Sequence, residues 1–263
     1  MTNEIREAVA ADEVLIGHEP GVMVITLNRP HAKNAVTRAV SERVASALDE
    51  LDRRDDLRAA IITGAGGSFC AGMDLKGFLG GERPSIEGRG FAGVTEAPPK
   101  KPLIAAVEGY ALAGGCEIVL ACDLVVAARS ARFGIPEVKR GLVAAAGGLL
   151  RLPHRIPQQI AMELALTGDM LTAERAYEVG LVNRLAEDGD ALGMALALAS
   201  RIAANGPLAV LASKRVIREH EQWPEPERFA RQREIIDPVF SSEDAKEGAR
   251  AFTEKRRPNW QAR

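Results

Sequence analysis

The chain has 263 residues, 46% of them apolar, 27% charged and 4% aromatic, with a formal charge of −2. That length supports one large domain, or a domain with an appendage, and a near-zero charge excludes bulk electrostatic attraction to nucleic acid or an anionic membrane. The three cysteines (Cys70, Cys116, Cys122) are odd in number without zinc-ligand spacing, and His18, His31, His154 and His220 stand far apart, so a reduced compartment and no structural metal are expected.

The opening MTNEIREAVAAD carries acidic groups where a signal peptide has a basic run and an apolar core, which predicts a cytoplasmic protein. The longest uncharged apolar stretch, Ala191 to Ser200, has about half of the ~20 residues that a membrane span requires. No membrane partner is expected.

Short runs rich in β-branched residues predict strands at Val14 to Ile16, Val22 to Leu27, Ala59 to Thr63, Leu103 to Val107 and Leu124 to Ala127. Between the second and third, Val40, Val44, Ala47, Leu48 and Leu51 recur at three- and four-residue steps and predict an amphipathic helix. The N-terminal two thirds therefore read as α/β. Gly77 to Pro99, rich in glycine and proline, reads as a mobile loop with one helical turn. From Pro157 onward the apolar spacing is helical in roughly five segments, and only Leu181 to Leu185 resembles a strand. Gly180 and Gly206 are expected to end helices, and Pro207 to start one. Trp223 and Trp260 are assigned to packing.

The first glycine cluster, Thr63 to Asp74 (TGAGGSFCAGMD), does not fit a dinucleotide-binding turn, because Phe69 falls where the third glycine belongs. A nucleophile elbow also fails, since Cys70 stands two places after Ser68. Cys70 reads as buried packing rather than a nucleophile, with no histidine near it in sequence.

The second cluster reads as strand, tight turn, helix and strand over Leu103 to Ala128. If Gly114 and Gly115 open the helix, their N–H groups lie among those without intrahelical acceptors at the positive end of its dipole. Such groups can hold a developing oxyanion, and close helix packing is the alternative reading. Glu117, one turn further, sits among Cys116, Ile118, Val119, Leu120 and Ala121, so its carboxylate points into a core or a cleft. Glu137 follows Pro136 in a turn; alone it reads as a surface acid, and it gains meaning beside Glu117.

Six segments, in order, resemble the enoyl-CoA hydratase (crotonase) family: LNRPHAKNA near the start, AGMD at Ala71 to Asp74, AGGCEIVLACD at Ala113 to Asp123, FGIPE at Phe133 to Glu137, LTAERAYEVGLVN at Leu171 to Asn183, and AKEGARAFTEKRRPNW near the end. The resemblance implies an α/β fold, a spiral of strand, strand and helix over residues 1–200 that carries the thioester site. A helical region over residues 201–263 would drive assembly into a homotrimer or a dimer of trimers.

It further implies an acyl-CoA substrate whose thioester enolate is held by the backbone N–H groups of Met73 and Gly114. Glu117 would activate water and Glu137 would protonate the α-carbon, a division of labour that requires two carboxyls in opposite protonation states. Ala71, Asp74, Leu75, Lys76 and Ala145 match substrate- or CoA-binding positions. Phe252 and Lys255 match a helix that reaches a neighbouring subunit's nucleotide site, and Arg29 and Lys33 are further candidate cations. No cofactor is implied beyond CoA, which is part of the substrate, and no metal. Family isomerases usually lack the carboxylate at Glu117, so hydration is favoured; the rivals are a specialised dehydratase (carnitinyl-CoA-like), an isomerase, a thioester hydrolase or a non-catalytic acyl-CoA-binding protein. In one departure, Ala144 and Ala145 stand where hydratases commonly have proline and glycine, which bears on water placement because alanine resists positive φ.

Overall fold

The computed structural model describes residues 12–263, so the N-terminal residues 1–11, on which most of the reading of a missing signal peptide rests, lie outside the described residues. Eleven strands form among them: β1 (Val14–Glu19), β2 (Val22–Leu27), β3 (Ala59–Gly64), β4 (Ser85–Ile86), β5 (Gly90–Phe91), β6 (Leu103–Val107), β7 (Tyr110–Leu112), β8 (Leu124–Ala128), β9 (Arg132–Gly134), β10 (Leu171–Thr172) and β11 (Arg184–Ala186). The principal sheet has the order β1-β2-β3-β6-β8-β11. Only the β1/β2 pair in it is antiparallel.

Both faces of this sheet are covered, which is why its strands read as continuous apolar runs rather than as alternations. Along β6, Leu103, Ala105 and Val107 face one core, with the Arg38–Arg53 helix, while Ile104 and Ala106 face the other. The second core is thin. Ala191, Ala195 and Ala199, one helical turn apart, let the Ala191–Ala203 helix lie close on the sheet. Its apolar residues are thus spent on packing, and no single helix among the described residues is long and apolar enough to cross a membrane.

A second, smaller sheet places the chemistry. In it β7 pairs parallel with β9, and β9 antiparallel with β10. Isolated bridges extend the same pattern, joining Cys70 to Ala111 and Val36 to Met73. Successive turns of the chain therefore repeat one unit: a strand of the large sheet, a short strand or bridge of the small one, then a helix. The helices after these short segments begin at Leu75, Gly114 and Pro136. β7, β9 and β10 are too short to show a period in the sequence.

The first five principal-sheet strands lie where the apolar runs predicted them, with β1 extending three residues further, to Glu19, whereas β11 forms at Arg184–Ala186 and not over the expected Leu181 to Leu185. Gly77 to Pro99 is more ordered than its composition implied. It continues the Leu75–Leu79 helix, forms the β4/β5 hairpin, and buries Phe91 and Val94 in the main core. Six helices, not five, follow Pro157. Gly206 caps the start of the Pro207–Glu219 helix rather than ending the previous one. That helix is tied to the β6/β8 region through Asp123, which accepts from Lys214 Nζ (2.6 Å) and Arg218 Nη2 (2.7 Å) and from the Leu103 amide (2.8 Å). Trp223 is buried, and Trp260 donates from Nε1 to the Ala204 carbonyl (2.9 Å), as packing roles require.

Candidate active site

A cleft of about 1050 Å³ opens beside the small sheet, and Ala71, Met73, Asp74, Leu75, Lys76, Gly114, Glu117, Glu137 and Ala145 all line it. Its geometry starts with two amides. Val36 donates to the Gly72 carbonyl and accepts from the Asp74 amide (2.8 and 3.0 Å), so the intervening Met73 N–H is turned to the other edge of the segment. Gly114 is the first residue of the Gly114–Ala121 helix and has no intrahelical acceptor. Among the described residues neither amide has a protein acceptor.

The two segments approach closely because they lack side chains. A methyl group built on Gly72 would stand 3.1 Å from the Gly114 nitrogen, and one on Gly115 would stand 2.1 Å from the Cys70 carbonyl oxygen. Ala113, just before the helix, adopts φ 52° and ψ −128°, a conformation that favours glycine. Such strain costs about 1 to 3 kcal/mol and is held here by the flanking contacts, the Ala113 amide donating to the Gly134 carbonyl (2.9 Å). Its peptide sets the direction of the Gly114 N–H. Cys70 is fully buried, its thiol pushed up to about 12 by burial against the opposing Gly72 amide, so it packs and is no nucleophile.

Glu117 is 3% exposed. Its Oε1 accepts from the Ala146 amide (2.7 Å) and the Gly148 amide (2.8 Å). Burial raises its pKa, opposed by these two amides and by the nearby Arg151 charge. Glu137 lies on the 3-10 turn Pro136–Arg140, with Oε2 buried and unpartnered. Its pKa is pushed up to about 6, first by burial and then by the charge of Glu117, against its own amide and Arg140. Two acids 20 residues apart in the chain thus share one cleft and sense each other.

Other predicted positions take definite roles. Burial works against ionisation of Asp74, but the Gly77 amide, Arg29 and the Lys76 amide hold its carboxyl below the usual range. It caps the Leu75–Leu79 helix and pairs with Arg29 (3.0 Å), which makes it part of the cleft wall. Neither Ala144 nor Ala145 has positive φ; that demand falls on Gly147 (φ 95°), so alanine is unstrained at both positions. The amides that hold Glu117 come from Ala146 and Gly148, which the sequence reading missed; the Gly147–Gly148 pair opening a helix was the available signal. Phe252 and Lys255 do not line the cleft of their own chain, and Phe252 is 86% exposed.

The enoyl-CoA hydratase/isomerase family model matches residues 17–263. The chain is an enzyme of the enoyl-CoA hydratase/isomerase family. It is 45% identical to enoyl-CoA hydratase EchA19 of Mycobacterium tuberculosis, over 95% of this chain and 97% of that protein. It is 42% identical to a carnitinyl-CoA dehydratase of Salmonella enteritidis, over 92% and 95% of the two chains. A crystal structure of an enoyl-CoA hydratase from Mycobacterium tuberculosis superposes with TM-score 0.94 at 64% identity, covering 95% of this chain and 99% of that one. The fold is accordingly the crotonase-type α/β spiral with a helical C-terminal region, as the sequence motifs implied.

Proposed function

We propose that this enzyme adds water reversibly across the double bond of 2-enoyl-CoA thioesters to form 3-hydroxyacyl-CoA. The observation that carries this reading is that Glu117, Glu137 and the unengaged amides of Met73 and Gly114 open onto one cleft. The two amides polarise the thioester oxygen and stabilise the negative charge that develops there as water attacks, each donor contributing about 3 kcal/mol to the transition state. Glu117, its Oε1 fixed by two amides that oppose the effect of burial, takes the proton from water as its oxygen bonds to C3. Glu137, whose buried Oε2 has no other partner and whose pKa is raised, delivers a proton to C2. Dehydration runs the same steps backwards, which suits a family that includes a carnitinyl-CoA dehydratase at 42% identity.

The substrate's CoA phosphates are met locally by Lys33 and Lys76 at the cleft, since Arg29 is held by Glu13 and Asp74. No metal or separate cofactor enters this scheme. The test is loss of the conjugated-enoyl absorbance of crotonyl-CoA. Glu117→Gln and Glu137→Gln should each lower kcat by about 10² to 10⁴ while CoA-ester binding is retained. Wild-type silence on enoyl esters of several lengths, with binding intact, would remove the hydratase assignment and favour a binding role.

The active form is proposed to be a homotrimer or a dimer of trimers, in which Phe252 and Lys255 serve a neighbouring subunit. Leu150 (75% exposed) and Leu166 (70%) on adjacent helices supply an apolar face for such contacts. Light scattering should give the mass of three or six chains; a monomer with full activity would discard the assembly.

A further inference from the structure

The cleft has a charge asymmetry that simple hydrocarbon substrates leave unused. Its lining holds five arginine and lysine side chains, Arg29, Lys33, Lys76, Arg83 and Arg140, against three acids. Arg29 is committed to Glu13 (2.8 Å) and Asp74 (3.0 Å). Lys33 and Lys76 lie by the Ala71–Asp74 turn, on the thioester-oxygen side, where the Lys33 carbonyl accepts from the Ala71 amide (3.0 Å). The Arg140 side chain has no hydrogen bond or ion pair among the described residues, and Arg83, which donates to the Glu82 carbonyl (3.0 Å) and lies over the Phe78 ring, has no carboxylate partner there.

Arg140 belongs to the far side. The thioester oxygen is set by Met73 and Gly114 and carbons 2 and 3 by the two glutamates, so the rest of the acyl chain continues past Glu137. Residues i and i+3 eclipse in a 3-10 helix, so on the Pro136–Arg140 turn Arg140 projects from the same face as Glu137, about 6 Å along the axis. Its charge is felt at the Glu137 carboxyl. Leu142, Val143 and Met170 line the adjoining wall and suit methylene groups.

We propose that the acyl end of this cleft takes a short 2-enoyl chain ending in a carboxylate, which Arg140 holds, with Arg83, from the Gly77 to Pro99 stretch that also lines the cleft, as a second cation. Two carbons beyond C3 and one charge-assisted hydrogen bond of about 2.8 Å together reach about 5 to 6 Å, comparable with the ~6 Å axial step from Glu137 to Arg140 on the turn. Arginine suits this task because its fork matches a carboxylate. A chain ending in a quaternary ammonium would meet these cations with no free acid beyond the catalytic pair. Substrates of the carnitinyl type are therefore disfavoured, despite the 42% identity to a carnitinyl-CoA dehydratase.

This inference rests on the hydratase reading for the direction of the acyl chain, and the experiment separates the two. Calorimetric titration of the wild type with the non-reactive esters glutaryl-CoA and butyryl-CoA should show glutaryl-CoA binding about tenfold tighter. Arg140→Met should remove that preference by weakening glutaryl-CoA selectively, and Arg140→Lys should restore part of it. Equal affinities in the wild type, or equal weakening of both esters by Arg140→Met, would overturn the proposal, the latter by assigning the guanidinium to the CoA phosphates. Hydration assays on glutaconyl-CoA and crotonyl-CoA complete the test. Preferential binding without turnover of either ester would sink the hydratase reading and leave the carboxylate site standing; turnover of both without preference would do the reverse.

Discussion

Gly148→Ala isolates the positioning of Glu117 from its chemistry. Gly148 opens the Gly148–Arg155 helix with ordinary φ, so alanine is tolerated by the backbone, yet its methyl would stand 3.0 Å from both Cγ and Oε1 of Glu117. Relaxing those contacts to about 3.5 Å displaces the carboxyl by about 0.5 Å, or pulls the Gly148 amide from its 2.8 Å hydrogen bond. Catalytic groups tolerate about 0.5 Å, and a 1 Å error can cost about 10² in rate, so kcat for crotonyl-CoA hydration should fall about tenfold with KM little changed. Replacing glycine by alanine in a helix contributes up to about 1 kcal/mol, which offsets the new contact and keeps the melting temperature within about 4 °C. Stopped-flow hydration beside thermal unfolding reads both quantities. A variant with wild-type kcat would refute the claim that the Gly148 amide and the space beside it fix the carboxylate. Gly115→Ala is the contrast: with 2.1 Å to a backbone oxygen the helix must move, and stability should fall together with activity.

Other consequences are open to direct measurement. In the proposed mechanism the competent free enzyme carries one proton on the glutamate pair, so kcat/KM should fall about tenfold per pH unit above about pH 6, where Glu137 loses its proton, and equally in both directions because the equilibrium is unchanged. A profile flat from about pH 6 to 9 would remove Glu137 from proton transfer. Asp123→Asn should leave Lys214 and Arg218 facing each other where the three side chains are 17%, 12% and 29% exposed. The expected loss is about 3 kcal/mol, or about 6 to 12 °C in melting temperature, and an unchanged melting curve would show that the ion pairs do not hold the C-terminal helices to the sheet.

Much of the architecture was legible because the principal-sheet strands and the Arg38–Arg53 helix carry their burial in their own pattern. Val40, Val44, Ala47, Leu48 and Leu51 are all buried, as their spacing required. Glu117 was legible for a related reason: a carboxylate in a helix apolar on every side has no solvent face to occupy. Gly77 to Pro99 misled because turn residues report a break in regular structure, not its mobility, and Phe91 and Val94 anchor the segment in the core.

Sequence alone determined which residue types were available: two glutamates, a glycine-opened helix, a run of family motifs. It could not determine where amides point or which acids meet, since those depend on stacking successive turns of the spiral and not on local preference. Glu137 reads locally as a surface acid, and only the fold buries its Oε2 and brings the charge of Glu117 near. The same holds for the Ala146 and Gly148 amides, ordinary backbone until the Gly114–Ala121 helix carries Glu117 between them. Hydrophobic period is a property of a segment, whereas desolvation and charge proximity are properties of the packed whole, and the chemistry of this cleft belongs to the second kind.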